Sequence, residues 1–391
     1  MKLLHTSDWH VGKTIKGHSR IDEHRAVLTE IVGIAKQEDV DIVLVVGDLF
    51  ESAAPTPEAQ SVVWDALLEL RSTGAKIVVV AGNHDNHLQF SAIRPVMDAL
   101  EIVMLGDVCS SEEGGVVSVT TRKGERAQLA LLPFCSQRHI IKKAELMGQE
   151  AAENTGTYAE RVRAIVGALS SGFDNSGAVN VILAHCMVRG GKLGGGERDA
   201  QSIFEYFVDP TAFPASAHYV ALGHLHRTQQ MPGACPIWYS GSPIQVDFGE
   251  TADEKHVLII EAHAATPAKV RPVRLTKGRR LRTLRGTLPE LRKLAGTTGD
   301  DWLRVFVREH RRAGLADEVY ELLPLAVGGV EIDPAFAEQN PLPRGESKRS
   351  HRSPHKLFAE FLNERSIADE RLNKLFARLL DEETTAAAAE S

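Results

Sequence analysis

No run of about 18 or more apolar residues, the length a helix needs to span a bilayer, occurs in this 391-residue sequence, which excludes a helical membrane protein. The first ten residues, MKLLHTSDWH, also lack the apolar stretch of a secretory signal and already carry charge and imidazole, so a cytoplasmic chain is expected. Cysteine is scarce. Its four residues, Cys109, Cys135, Cys186 and Cys235, stand far apart without a Cys-x-x-Cys pair, which argues against a disulfide framework or a thiolate zinc site and leaves buried, reduced thiols. There is no GxxxxGK(S/T), so the glycine-rich stretch Arg189–Arg198 is not a nucleotide P-loop. An excess of positive charge is missing too. The formal net charge of -7 does not advertise a nucleic-acid binder. Its distribution is uneven, however: seven of the fifteen residues from Arg271 to Arg285 are basic and none is acidic, and a second basic cluster runs Arg344, Lys348, Arg349, Arg352, Lys356.

What the chain does have is a regular alternation at its start. Leu3–His5, Ile42–Val46 and Lys76–Val80 read as strands, with helices near Arg20–Lys36 and Pro57–Arg71 between them, the pattern of βαβ units. From about 116 to 261 shorter strands follow (Gln128–Leu132, Val179–Ala184, Tyr219–Leu222, His256–Ile260) with one helix near Tyr158–Ser170. The expected fold is α/β: two sheets packed as a β-sandwich flanked by helices. Four segments are expected. Residues 1–275 form the sandwich, 276–338 a small α+β domain, 339–353 a linker rich in Pro, Gly, Ser and charge, and 354–391 a helical tail. In that tail Leu357, Phe358, Phe361 and Leu362, then Leu372, Leu375, Phe376, Leu379 and Leu380, make apolar stripes at helical spacing.

Each β-rich run ends in polar residues. Five short segments hold Asp8-x-His10, Gly47-Asp48, Gly82-Asn83-His84-Asp85, His185 and Gly223-His224-x-His226. Open α/β sheets gather ligands beyond the carboxyl ends of their strands. Oxygen and imidazole donors without thiolate suit a borderline-hard divalent ion such as manganese rather than structural zinc. Asp8 and His10, two apart on an extended chain, would point to one side and share an ion, and His224 with His226 would repeat that geometry. The three glycines would let the backbone turn sharply beside the metal. Cys186 follows His185 on a strand, so only one of that pair should face the site.

The order DxH…GD…GNHD…H…GHxH resembles the signature of the calcineurin-like metallophosphoesterases. The longer phrases LLHTSDWHVGK, VVGDLFES, VVVAGNHDN, YVALGHLHR and YSGSPIQVDFGE are similar to those of the SbcD family of DNA-cleaving members. That resemblance implies a metallophosphoesterase sandwich with a small capping domain and C-terminal helices. It implies Asp8, His10, Asp48 and His226 around one divalent ion and Asp48, Asn83, His185 and His224 around a second, with Asp48 bridging. It leaves His84 as general acid, oriented by Asp85, and makes Arg189, Lys192 and Arg227 candidate DNA contacts. Two ions roughly 3.5–4 Å apart can polarise a phosphodiester and activate water for in-line attack. The implied partners are DNA in the form of duplex ends, hairpins and single strands, an SbcC-type coiled-coil ATPase, and a second copy of this chain within a heterotetramer. The implied activity is metal-dependent double-strand exonuclease and single-strand or hairpin endonuclease. A phosphatase or cyclic-nucleotide phosphodiesterase with the same centre, and a non-catalytic DNA-binding scaffold, are the alternatives. Some relatives carry a His where this chain has Glu51, which is expected to be a solvent-facing acid.

Overall fold

A computed structural model describes residues 1–136, 140, 157–173, 177–195 and 206–339, and scattered positions between 358 and 379. The first sheet begins with β1 (Lys2–Thr6), β2 (Ile42–Val46), β3 (Lys76–Val80) and β4 (Ile102–Leu105), all parallel, with Leu3 opposite Ile42, Ile42 opposite Lys76, and Ile77 opposite Ile102. Strands covered on both faces read as near-continuous apolar runs, and IVLVV in β2 is buried at every position. Helices α1 (Ile21–Gln37), α2 (Pro57–Ser72) and α3 (His87–Ala99) make the crossovers. Their starts are written locally. Thr56 caps α2 just before Pro57, and the Asn86 side chain accepts from the amides of Leu88 and Gln89 at the head of α3; each such cap contributes about 1 kcal/mol.

The second sheet is built from β5 (Val116–Thr120), β6 (Arg126–Leu132), β7 (Val179–His185), β8 (Tyr219–Gly223), β9 (Gln229–Met231) and β10 (Ile237–Tyr239), with α4 (Tyr158–Ser170) before β7. Then β11 (His256–His263) and β12 (Thr266–Arg274) return to the first sheet as an antiparallel pair. The strand orders are β12-β11-β1-β2-β3-β4 and β9-β10-β8-β7-β6-β5. Side chains of period two divide the interior into layers. Ile42, Leu44, Val46, Val78 and Val80 meet Leu129, Leu131, Val181 and Leu183 between the sheets. Val43, Val45 and Val79 pack outward on Val27, Ile31, Val63 and Leu67 of α1 and α2. Ile182, Ala184 and Leu222 pack outward on Val162, Ile165 and Leu169 of α4. The expected β-sandwich flanked by helices is the observed one.

Beyond β12 a small sheet pairs β13 (Leu281–Gly286) in parallel with β14 (Trp302–Val307), accompanied by α5 (Leu288–Leu294) and α6 (Leu315–Leu322). Met1–Val307 and Arg311–Glu331 form one compact unit; Arg308–His310 and Ile332–Ser391 form another. Within the second, Arg308 pairs with Asp333 at 3.2 Å, and the Phe358 and Phe376 rings stack with centroids 4.1 Å apart. Leu362 is buried there, whereas Leu372, Leu375 and Leu379 are exposed. Leu357, Phe361 and Leu380 of the proposed stripes, the linker after Gln339, and the basic cluster from Arg344 to Lys356 lie outside the described residues.

Candidate metal centre

Five strand ends from the two sheets converge on one place. Asp8 and His10 follow β1, Asp48 follows β2, Asn83 follows β3, His185 closes β7 opposite Gly223, and His224 and His226 follow β8. The amide of Asp8 donates to the Gly47 carbonyl at 2.9 Å and that of His10 to the Asp48 carbonyl at 3.0 Å, locking the first two segments together. The chain after β1 is not extended, contrary to the strand-alternation argument. Asp8, His10 and Asp48 have φ of 52°, 49° and 52°, and His224 has φ 109°. Left-handed turns on either side of the fully buried Trp9 bring Asp8 and His10 to the same side. Such conformations cost about 1–3 kcal/mol each and persist where surrounding structure demands them. Of the glycines, Gly47 takes the left-handed turn (φ 81°). Gly82 and Gly223 serve close approach instead: an added Cβ would lie 2.1 Å from Asp48 Oδ1 and 1.8 Å from the Val46 carbonyl oxygen, respectively.

The donors face inward. His10 Nε2 and His226 Nε2 are 3.0 Å apart, and Asp48 Oδ2 lies 3.8 Å from His10 Nε2 and 3.5 Å from His185 Nε2. Asn83 Oδ1 sits 3.0 Å from His185 Nε2 and 2.8 Å from His224 Nδ1. The outer nitrogens are tied to acceptors: His10 Nδ1 to Glu51 Oε2 (3.0 Å), His226 Nδ1 to Glu250 Oε1 (2.9 Å) and His185 Nδ1 to the Val46 carbonyl (2.9 Å). Carboxylates and carbonyls only accept, so Nδ1 of each of these rings carries the proton. With both Nδ1 atoms donating outward, the Nε2 atoms of His10 and His226 face each other 3.0 Å apart, close enough to serve one cation.

The electrostatics agree. Burial lowers His10 to about 4 and His224 to about 3, keeping these imidazoles neutral as metal binding requires. Burial opposes ionisation of Asp48, yet His185, His10 and His84 hold its carboxyl well below the ordinary range. For His185 burial is likewise outweighed, and Asp48 raises it to about 9; the pocket draws positive charge. Three groups of ligand atoms, Asp8/His10/His226, His10/Asp48/His84 and Asp48/His185/His224, each fall within 4.8 Å of one another. The donor set fits divalent ions.

A family model for calcineurin-like phosphoesterases matches residues 1–125. The SbcD component of the SbcCD nuclease from Bacillus subtilis (strain 168) is 31% identical over 390 residues, covering 97% of this chain and 97% of that protein. Its counterpart from Rhodobacter capsulatus is 32% identical over 292 residues, 70% of each chain. The chain belongs to the SbcD family. It is therefore a metal-dependent nuclease, a hydrolase on the calcineurin-like phosphoesterase fold. Among the described residues no helix is long and apolar enough to cross a membrane.

Other residues of this SbcD-family chain depart from expectation in instructive ways. Glu51 is not a free surface acid: besides holding His10 it accepts from Lys13 at 2.8 Å, and against burial these two partners keep its pKa at about 2. Asp85, expected to orient His84, is bound to the backbone beside it. Its oxygens take the amides of Gly82, Leu49 and Phe50, bracing the second and third segments, while His84 Nδ1 donates to the Glu51 carbonyl at 2.7 Å. Burial, with Asp48 nearby, raises the Asp85 pKa to about 7. Glu250, within the DFGE phrase, went unassigned in the sequence, as did its buried partner Lys255 at 2.7 Å. Cys186 turns into the apolar core beneath α4, away from His185, as strand geometry requires. Arg189 and Lys192 are exposed, Arg227 is paired with Asp253 at 3.0 Å, and Gly196 to Arg198 of the glycine-rich stretch lie outside the described residues.

Proposed function

We propose that this chain cuts DNA phosphodiesters at a centre of two divalent ions, for which the donor set suits manganese, as the nuclease subunit of an SbcCD-type complex. Asp8, His10, Asp48 and His226 would hold one ion; Asp48, Asn83, His185 and His224 would hold the other. The ions, when bound, supply Lewis-acid chemistry that polarises the phosphodiester and activates water. The residues themselves do the positioning. Glu51, Glu250 and the Val46 carbonyl fix which nitrogen of His10, His226 and His185 faces inward. The Glu51 carbonyl accepts a hydrogen bond from His84 Nδ1, which leaves Nε2 for the site, where the doubly protonated ring would give its Nε2 proton to the departing oxygen. Asp85 holds the loop that presents His84. Arg189, Lys192 and Arg227 contact the DNA backbone. A coiled-coil ATPase of the SbcC type, bound through the helical tail, feeds duplex ends to two copies of this chain, and the cytoplasm follows as the place where that substrate lies. The small 276–338 segment acts as a DNA-binding cap.

The observation that carries this reading is the ring of inward-facing acceptors collected from five strand ends, with the family membership behind it. Purified protein with manganese, offered linear duplex, hairpin DNA and bis-p-nitrophenyl phosphate side by side, tests it. Cutting of both DNA substrates at rates far above the small ester is expected. Efficient turnover of the small ester with intact DNA would instead favour a small-molecule phosphodiesterase.

A further inference from the structure

The segment joining β10 to β11 meets the metal centre with one residue and the small sheet of β13 and β14 with others. Glu250 is its inner contact. Fully buried, it accepts from His226 Nδ1 at 2.9 Å through Oε1, and from the Val246 amide at 3.1 Å and Lys255 Nζ at 2.7 Å through Oε2. Two residues earlier, the half-buried Phe248 packs with Leu281 and Trp302, the first residues of β13 and β14, and with Leu325 and Val327. The fit leaves no slack: a Cβ added at Gly328 would lie 2.5 Å from Phe248 Cζ. A single short turn, Phe248–Glu250, therefore has the small sheet at one end and a ligand's hydrogen-bond partner at the other.

Gln245 closes the link. Its Oε1 accepts from the Leu281 amide at 2.6 Å, and its Nε2 donates to the carbonyls of Glu250 at 2.9 Å and Asp253 at 3.0 Å. Its own carbonyl accepts from Arg20 Nη1 at 2.6 Å. Arg20 pairs in turn with Glu23, whose oxygens also take the Arg279 amide at 2.9 Å and Trp302 Nε1 at 3.2 Å. Arg20, Glu23, Gln245 and Trp302 are all buried. Members of such a network hold one another in place, because a shift of one leaves a buried partner unsatisfied. We propose that the small sheet is a structural part of the metal centre: through Phe248 and Gln245, its seat on the sandwich fixes Glu250 and thereby His226. Phe248 and Gln245 are then positioning residues for the reaction, a role separate from any contact that the small sheet makes with DNA. The proposal rests on the assignment of His226 to an ion above.

The test is a manganese titration of the full chain, read as loss of the free-ion electron paramagnetic resonance signal, at a temperature where melting curves show each variant folded. Phe248→Ala and Gln245→Met should raise the manganese concentration at half-saturation by about 3–10-fold, less than the roughly 10–100-fold that follows loss of a ligand's direct partner. Phe248→Leu keeps an apolar wedge and should bind nearly as wild type does. Should Gln245→Met fail to fold, the Phe248 pair decides alone. Turnover of bis-p-nitrophenyl phosphate, which offers the small sheet no duplex to hold, gives the second readout: at limiting manganese kcat should fall in Phe248→Ala while KM for the ester stays in place. Folded variants with a lowered melting temperature but wild-type manganese binding would overturn the proposal, leaving the seam merely structural. Loss of DNA cutting with manganese binding and ester turnover intact would overturn it too, by giving the small sheet a role toward DNA alone. A wild-type chain that binds no manganese would overturn the two-ion reading itself.

Discussion

The metal-facing edge of the sandwich and the basic run from Arg271 to Arg285 both stand out in the sequence by residue type, and they fold to different ends. At the edge, seven donors follow five strand ends and turn inward to distances of 3–4 Å. In the run, the charges disperse over the surface. Arg271 pairs with Glu38 at 2.8 Å, Arg274 with Glu254 at 3.0 Å and Arg282 with Asp301 at 3.6 Å, while Arg279 and Arg285 lie over the rings of Trp302 and Phe306. Part of the run is the edge strand β12 and part is β13, so successive arginines face different ways. A donor's meaning is sharpened when the fold dictates where its strand ends; a cluster defined by composition has no such anchor.

Breaking the edge should have the largest effect. Asp48 lies between both groups of histidines, so Asp48→Ala is expected to abolish cutting and reduce bound manganese toward zero in folded protein, as elemental analysis would report. Near-normal manganese content would remove Asp48 from its bridging place. Next comes His84, near both His10 and Asp48 yet assigned to the leaving group. His84→Ala should keep both ions and DNA affinity while kcat falls by about 10²–10⁴. If metal is lost together with activity, His84 is a ligand, as its proximity to His10 and Asp48 would permit.

Legibility in the sequence followed the same division. Ile42–Val46 and Lys76–Val80 are read to the residue because a parallel strand buried on both faces is an unbroken apolar run. Helix α3 and strand β4 were not anticipated: Leu88, Val96 and Leu100 are exposed, which blurs the apolar period of α3. Strand β12, TPAKVRPVR, hides behind two prolines and three basic residues, a composition that an edge strand tolerates and a central one does not. The donor residues were legible as motifs, but their left-handed backbone was not, since it arises from loops of two segments hydrogen-bonded to each other. Glu250 was missed, and Glu51 reads as a solvent-facing acid, for a related reason. Their partners lie 41 and 24 residues away in the chain, and a lone glutamate carries no pattern.

His5 sharpens the comparison from inside β1, as an imidazole three residues before Asp8 with no part in the centre. It is fully buried, with Nδ1 2.9 Å from the Tyr219 hydroxyl. Burial lowers its pKa from 6.5 to about 3. Between those values the unfolded chain binds a proton that the folded chain refuses, so stability is full above about pH 6.5 and falls as pH drops toward 3. At pH 4 this one group should cost about 3 kcal/mol, and His5→Gln should remove that share of the acid sensitivity. Denaturant midpoints at pH 7 and pH 4 for both proteins would check it; equal pH dependence in the two would mean His5 titrates normally.

The smallest effect is expected where the sequence looked most basic. Arg271 and Arg274 are ion-paired and more than half exposed, a setting in which a pair contributes about 0–1 kcal/mol to stability and is already satisfied without DNA. Arg189 and Lys192 are exposed, follow shortly after His185 in the chain, and are the residues proposed above to meet the DNA backbone. Each protein–phosphate contact contributes about 0.9 to the slope of log affinity against log salt. Replacing Arg189 and Lys192 with alanine should therefore lower that slope by about 2 for a duplex end, measured with manganese withheld so that cutting does not interfere. Replacing Arg271 and Arg274 should leave it nearly unchanged. The reverse result would return the basic run to the DNA path and show that its pairing with Glu38 and Glu254 gives way to phosphate when substrate arrives.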